Sequence, residues 1–183
     1  MLMSTQATRL AHALLKARMS GTMMPLLSGD GKFSLDDAHE IARHIVTIRT
    51  AQGENPVGRK IGFSNHKLWN VYGKGSLTEP IWSTIYDSTV HYALDNVATY
   101  NLTKSQQPRL EPQLVFKLAR TPAPEATLED MSDCLEWIAH GFEVVTSPFR
   151  HWEFEAADAV AAFGLHKALI VGEPRMISRQ SRR

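Results

Sequence analysis

The stretch Pro108-Arg-Leu-Glu-Pro-Gln-Leu-Val-Phe116 decides the fold, because it predicts a β-strand with two chemically different faces. Side chains alternate between the faces of an extended strand, so Glu111 and Gln113 share one face with Val115. The other face is apolar, and we expect it to lie in the hydrophobic core; it carries Leu110, Leu114, Phe116 and Leu118. The stretch therefore predicts a strand that joins the core on one side and a polar site on the other.

A third acidic or amide side chain, Glu143, lies in a second strand-like run at residues 142–145. If the two strands are neighbours, Glu111, Gln113 and Glu143 form an oxygen-rich pocket. Such pockets suit a hard divalent cation, Mg²⁺ or Mn²⁺, that also binds the substrate. The alternative is an edge strand whose polar face is simply in contact with water.

A second candidate site is the stretch Gly58-Arg-Lys-Ile-Gly62, in which two glycines bracket Lys60. The glycines would allow the backbone to turn sharply and place the ammonium group in a confined space. A lysine beside a bound anion can stabilise negative charge or relay a proton. The alternative is an ordinary lysine in a surface loop.

The chain divides into a helical part, residues 1–53, and a strand-rich part, residues 58–172. Apolar spacing predicts a first helix that ends at Gly21 and a second that begins at Ser34. The strand-rich part has predicted strands at residues 81–92, 109–118, 142–147 and 167–171, and predicted helices at 127–140 and 154–163. Helices followed by mixed strands indicate one α+β domain.

Composition sets limits on the class of protein. The chain has 183 residues, 43% of them hydrophobic, a net charge of +1 and one cysteine. The scattered basic residues do not indicate a nucleic-acid surface, and the apolar stripe near the start is interrupted by charges, so no membrane span is expected. A single cysteine fits a reducing compartment, and we expect a cytoplasmic protein. Residues 173–183 are basic and predicted to be a disordered tail.

Five motifs, taken in order, resemble one known family. They are Gly-Arg-Lys-Ile-Gly-Phe at 58–63, Glu-Pro-Ile-Trp at 79–82, the stretch at 108–116, His-Gly-Phe-Glu-Val-Val at 140–145, and the segment 152–172. This series is similar to the 2-keto-4-pentenoate hydratase and 4-oxalocrotonate decarboxylase branch of the fumarylacetoacetate hydrolase superfamily. The resemblance implies N-terminal helices followed by a mixed β-sheet roll of the fumarylacetoacetate hydrolase type, incomplete at its C-terminal end.

The resemblance also implies roles for individual residues. Glu111, Gln113 and Glu143 would hold Mg²⁺ or Mn²⁺, and Lys60 would be the active-site lysine. The implied activity is a hydro-lyase that adds water to a 2-oxo-4-enoic acid or its dienol, as in aromatic catabolism, with decarboxylation as the related outcome. Trp82 would line the substrate pocket, although a structural tryptophan is the alternative. A homo-oligomer, or a hetero-oligomer with a related chain, is expected.

Two departures from the family pattern leave a second hypothesis open. Gln113 stands where the family usually has glutamate, and an amide oxygen brings no charge to a cation. Family members also continue well beyond the position of Gly172. The alternative function is therefore a catalytically impaired remnant, or an accessory subunit that binds a related full-length hydratase or decarboxylase.

Overall fold

The computed structural model describes residues 3–69 and 77–177. It contains four α-helices and seven β-strands within those ranges. The helices are α1 (Ser4–Ser20), α2 (Leu35–Ala51), α3 (Leu128–Asp133) and α4 (Ala156–Ala161). The strands are β1 (Pro56–Gly62), β2 (Ile81–Tyr86), β3 (Val90–Tyr92), β4 (Arg109–Leu118), β5 (Leu135–Val145), β6 (His166–Val171) and β7 (Arg175–Met176).

Helix α1 ends and helix α2 begins where the sequence predicts. Gly21 takes the left-handed conformation after α1, with φ of 74°, which a glycine adopts at little cost. Ser34 caps α2 in a reciprocal capping box with Asp37, because each side chain accepts the other residue's backbone N–H. These local signals mark the end of α1 and the start of α2.

The main hydrophobic core lies where α1, α2 and α4 pack together. Small side chains on the three helices allow close approach, and larger side chains from the loop before α4 fill the centre. The fully buried members include Ala11 and Leu14 of α1, Ile41 of α2, Val160 of α4, and Phe149 and Phe154. A second, smaller cluster under the sheet contains Trp137, Ala139 and Val171.

The strands form an antiparallel ribbon of β1 and β2 and a five-stranded mixed sheet. The mixed sheet has the order β3-β6-β5-β4, and β7 pairs with the start of β5. β3 runs parallel to β6, whereas β4, β5 and β6 are antiparallel neighbours. The predicted α+β class and mixed sheet are therefore confirmed.

The prediction that the apolar face of β4 lies in the core is wrong. Leu110 is 60% exposed and Phe116 is 51% exposed, and Leu114 and Leu118 are also exposed. The half-buried positions of β4 are Glu111, Gln113 and Val115, on the opposite face. Apolar alternation identified two faces correctly, but which face meets the core depends on the layer that covers the sheet, and strand periodicity does not contain that information.

Three predicted boundaries also need correction. The predicted helix at 127–140 ends at Asp133, and β5 begins at Leu135. A capping box between Thr127 and Asp130 stabilises the start of α3, whereas the residues from Leu135 onward pair with β4. The predicted strand 81–92 is divided into β2 and β3 by a helical turn.

The boundary predicted for the tail is too early, because β7 pairs Arg175 with Ile138 and Met176 with Trp137. Residues 178–183 of the predicted tail lie outside the described residues. In the part of the chain that the structure describes, no helix is long and apolar enough to cross a bilayer.

Candidate active site

Lys60 lies in the middle of strand β1, so the sequence prediction of a turning loop is wrong. Its register partner across the ribbon is Ser83 of β2, and directly opposed residues of an antiparallel pair share a face. The bracketing glycines, Gly58 and Gly62, lie on that same face because they are two positions away. They leave space beside the lysine, whose side chain is only 8% exposed.

Glu111, Gln113 and Glu143 come together as predicted. β4 and β5 are antiparallel, with Glu111 directly opposite Glu143 and Gln113 opposite Gly141. The amide nitrogen of Gln113 donates to Glu143 Oε2 at 3.2 Å and to Glu111 Oε2 at 3.4 Å. One amide group therefore bridges the two carboxylates.

Lys60 completes this cluster from the ribbon. Its Nζ lies 3.3 Å from Glu143 Oε2 and donates a 2.7 Å hydrogen bond to the carbonyl of Gly164. Glu143 is 2% exposed, so the ion pair is buried from both sides. Hydrogen bonds offset part of the desolvation cost of a buried charge pair: Lys60 donates to the Gly164 carbonyl, and Glu143 also contacts Gln113 and His166.

The second oxygen of Glu143 is held by His166. His166 Nδ1 lies 2.7 Å from Glu143 Oε1, and Nε2 lies 3.0 Å from the hydroxyl of Thr89. Burial lowers the pKa of His166, even though the carboxylate of Glu143 acts in the opposite direction. Nδ1 faces the carboxylate and Nε2 faces the Thr89 hydroxyl, which itself donates to the carbonyl of Tyr86 at 3.0 Å. Thr89 and His166 thus fix the orientation of Glu143.

The segment that presents the Gly164 carbonyl is strained. Phe163, Gly164 and Leu165 all have positive φ, at 63°, 57° and 64°, and two of them carry side chains that disfavour this region. Arg18, at the end of α1, anchors the segment from below by donating to the carbonyls of His166 and Lys167 at 2.5 and 2.8 Å. Backbone strain of this kind is concentrated at functional sites.

The electrostatics of the cluster act most clearly on Glu111. Burial raises its pKa, with a contribution from the neighbouring Glu143, whereas Lys60 acts to lower it. Two carboxylates and one ammonium share the site, so negative charge exceeds positive charge when both acids are ionised. A cation would relieve this imbalance.

The donor set fits a hard divalent cation. Two carboxylates and an amide oxygen are the ligand types that Mg²⁺ accepts, and rotation of the Gln113 amide by half a turn would bring its oxygen to the point where its nitrogen now bridges the acids. Among the described residues no group of three or more His, Cys, Asp and Glu side chains is placed to hold a metal. The third donor of this site is therefore the uncharged amide of Gln113.

Trp82, the predicted pocket residue, does not join the cluster. It is adjacent to Ser83 on β2 and therefore points to the opposite face from Lys60. Its indole is 48% exposed, lies 5.2 Å from the Arg59 guanidinium and stacks on His39 at 5.7 Å. Trp82 covers the outer side of the ribbon.

Sequence reasoning missed the contact of Thr89 and His166 with the cluster and the pairing of Ser83 with Lys60. Asp158 caps α4 through Glu155 and also accepts from the backbone of Leu27 and Ser28, so it ties the loop after α1 to the helix. Asp158 and His166 lie within the motif segment 152–172, whereas Thr89 and Ser83 stand outside the five motifs. The one usable signal was a polar residue within an apolar run, as for His166 before Ala168 and Leu169.

Sequence comparison finds dienoate hydratases and a 4-oxalocrotonate decarboxylase among the proteins similar to this chain. The chain is 29% identical to 2-hydroxyhexa-2,4-dienoate hydratase of Comamonas testosteroni over 170 residues, which cover 92% of this chain and 62% of the relative. It is 26% identical to 4-oxalocrotonate decarboxylase of a Pseudomonas species, covering 90% and 62%. It is 28% identical to 2-hydroxypent-2,4-dienoate hydratase of Pseudomonas putida, covering 87% and 70%. No protein-family model matches the chain.

The fold has a solved counterpart in 4-oxalocrotonate decarboxylase from Pseudomonas putida G7 complexed with magnesium and adipate. The TM-score is 0.83 at 21% identity, over 99% of this chain and 67% of that one. A second structure of the same decarboxylase, complexed with calcium and acetate, matches equally well.

The chain is thus similar in sequence to dienoate hydratases and to a 4-oxalocrotonate decarboxylase, and it shares the α+β fold of the decarboxylase. The predicted resemblance to the 2-keto-4-pentenoate hydratase and 4-oxalocrotonate decarboxylase branch is confirmed. The chain spans about six tenths of the length of the first two relatives.

Proposed function

We propose that the chain is a metal-dependent hydro-lyase that adds water to a 2-oxo-4-enoic acid or its dienol. The observation that carries the proposal is the convergence of Lys60, Glu111, Gln113 and Glu143, from three strands, into one buried cluster. Relatives named as dienoate hydratases support the substrate class, and the neighbour structures with magnesium and calcium support the cofactor.

In this proposal Glu111, Gln113 and Glu143 would hold Mg²⁺ or Mn²⁺. The cation would supply positive charge beside the carboxylate and 2-oxo group of the substrate, where negative charge increases as the dienol gives up its proton. Lys60, whose ammonium contacts the Gly164 carbonyl and Glu143, would donate a hydrogen bond to the same anion.

His166 and Thr89 keep the charged groups in place. His166, which also contacts Thr89, hydrogen-bonds Glu143 Oε1, and Oε2 contacts Lys60 and Gln113. The overall reaction adds the hydrogen and hydroxyl of one water across the double bond and yields a 4-hydroxy-2-oxo acid. We further propose a cytoplasmic homo-oligomer.

The test is the ultraviolet absorbance of 2-hydroxypenta-2,4-dienoate mixed with purified protein. We expect a loss of the dienol signal that requires Mg²⁺ or Mn²⁺, stops on addition of EDTA and is absent in Lys60→Ala. Lys117→Ala is the matched control, because Lys117 also pairs with a glutamate of β5 but at an exposed position. No turnover by a folded wild-type sample would contradict the proposal.

A second candidate, a catalytically impaired subunit that binds a related full-length chain, is favoured by two observations. The Gln113 amide donates its N–H groups to both acids, which partly replaces a cation. The outer face of β4 is apolar and exposed, and a groove of about 720 Å³ runs along Leu110, Phe142 and Ile170 on that side. Such a face is typical of a protein interface.

Gln113→Glu separates the two candidates. A third carboxylate raises the charge of the site, so we expect tighter Mg²⁺ binding by calorimetry, on the order of tenfold or more, if the cluster is a metal site. An impaired subunit whose cluster is only structural would bind no metal in either form. Glu111→Gln serves as the control in which affinity must fall.

A further inference from the structure

We propose that Ser83 is a ligand-binding residue of the site, whose hydroxyl hydrogen-bonds to the anionic group of the bound substrate beside Lys60. This inference rests on the proposed function, because it assigns a contact to the same anionic substrate.

The first observation is an unsatisfied hydroxyl. Ser83 is 8% exposed, and its Oγ is shielded from solvent with no hydrogen-bond partner among the described residues. A buried hydroxyl without a partner is costly, and native proteins keep few of them. Where one persists at a site, a bound ligand that supplies the missing partner explains its retention.

The second observation is its position. Ser83 is paired in register with Lys60 and shares the inner face of the ribbon. On that face Gly58, Lys60 and Gly62 of β1 pair with Ile85, Ser83 and Ile81 of β2, respectively. Ser83 and Lys60 are therefore its two polar side chains, and the side chains of the four glycine and isoleucine neighbours offer the hydroxyl nothing to bond.

The third observation is the fit against the strained segment. A Cβ placed on Gly164 would lie 2.8 Å from Ser83 Oγ and 2.9 Å from Ser83 Cβ, so any side chain at 164 would displace the serine. The carbonyl of the same glycine accepts from Lys60. Gly164 thus leaves room for the hydroxyl of Ser83 and accepts from the ammonium of Lys60, so one residue contacts both donors.

An ammonium and a hydroxyl side by side suit a small carboxylate or 2-oxo group, since both can donate to oxygen. Oxalate is a suitable probe, because it carries two adjacent carboxylates and resembles the carboxylate and 2-oxo end of the proposed substrate. It also reports binding without turnover.

The experiment measures oxalate binding in the presence of Mg²⁺ by calorimetry, together with the urea midpoint, for wild type, Ser83→Ala and Ser105→Ala. Ser105 is the matched control, since its Oγ is also buried and without a partner but lies in the loop before β4. We expect Ser83→Ala to lose about tenfold in oxalate affinity, the size of one hydrogen bond to a charged group. Its urea midpoint should stay equal or rise, because an unsatisfied hydroxyl has been removed.

Each other outcome has a distinct meaning. Ser105→Ala should change oxalate affinity little. If wild type binds oxalate and Ser83→Ala binds it equally well, the role of Ser83 is overturned while the proposed function stands. If Ser83→Ala lowers the urea midpoint, the hydroxyl has a structural partner such as a trapped water, and the inference is again overturned. Absence of oxalate binding in wild type would overturn both proposals.

Discussion

The two faces of strand β4 have opposite characters. An apolar face is usually buried and a polar face is usually exposed, and β4 shows the reverse. The face with Glu111 and Gln113 lies against a buried polar cluster in which every charged group has a partner. The face with Leu114 and Phe116 is exposed, although its side chains are apolar. In this strand the polar face makes the ordered contacts with the rest of the fold. This arrangement is typical of a functional site rather than of a solvent-exposed edge strand.

The largest expected effect on stability comes from a substitution in the buried polar cluster on the inner face of β4. Glu143→Ala removes the partner of Lys60 and of His166 at once, and an unpaired buried ammonium costs about 3–5 kcal/mol. The control is Glu136→Ala, also on β5, whose pair with Lys117 is 51% and 32% exposed. We expect a loss of less than about 1 kcal/mol there. Urea unfolding measures both, and similar losses for the two variants would show that the cluster is solvated.

A smaller effect tests the support of Glu143. Thr89→Val keeps the shape of the side chain but leaves Nε2 of His166 without its partner, which should lower the free energy of unfolding by about 1–3 kcal/mol. Thr89→Ser retains the hydroxyl and is the control, with a loss below about 1 kcal/mol. Equal losses in thermal or urea unfolding would mean that the methyl group, rather than the hydrogen bond, carries the contribution.

The sequence predicted most of the residues in the polar cluster at the inner face of β4, and few of the residues that hold the cluster in place. Glu111, Gln113, Glu143 and Lys60 stand in motifs, and strand alternation placed the first two on one face. His166 and Thr89 come from separate strand and turn segments that meet Glu143 only through the pairing of β5 with β6 and the turn before β3. Contacts of that kind depend on register and chain crossing, which no local pattern encodes.

The same limit explains the error on the outer face. Alternation established that Leu110 and Leu114 share a side, and capping boxes fixed helix starts at Ser34 and Thr127. Which side is covered depends on the neighbouring elements, and Val115 on the inner face packs against the cluster of Trp137, Ala139 and Val171. Local signals therefore predicted elements and faces, whereas the position of the core had to come from the structure.

The pH dependence of stability gives a third test of the inner face of β4, through the carboxyl group of Glu111. Burial raises the pKa of Glu111 above the value of 4.5 that an unperturbed glutamate has. Between these two values the folded state binds more protons than the unfolded state, so this group makes stability fall as pH rises. Glu111→Gln should remove that contribution, and the difference in urea midpoint between the two proteins should grow from pH 4.5 upward and then level off.

His166 acts in the opposite direction in a neighbouring range, which is why the difference between variants is the informative quantity. Its pKa is lowered from 6.5, so the unfolded state binds more protons below that value and stability falls as pH falls. A difference curve for Glu111→Gln that is flat from pH 4 to 8 would contradict the burial of Glu111.

The smallest expected effect tests the outer face directly, with two neighbouring residues of one strand. Leu114→Thr replaces an exposed side chain by one that suits a strand, so we expect a change within about 0.5 kcal/mol. Val115→Thr places a hydroxyl on the half-buried face beside Trp137 and should cost more, about 1–3 kcal/mol. A larger loss for Leu114→Thr, especially one that grows with protein concentration, would show that the outer face is covered in solution by another chain.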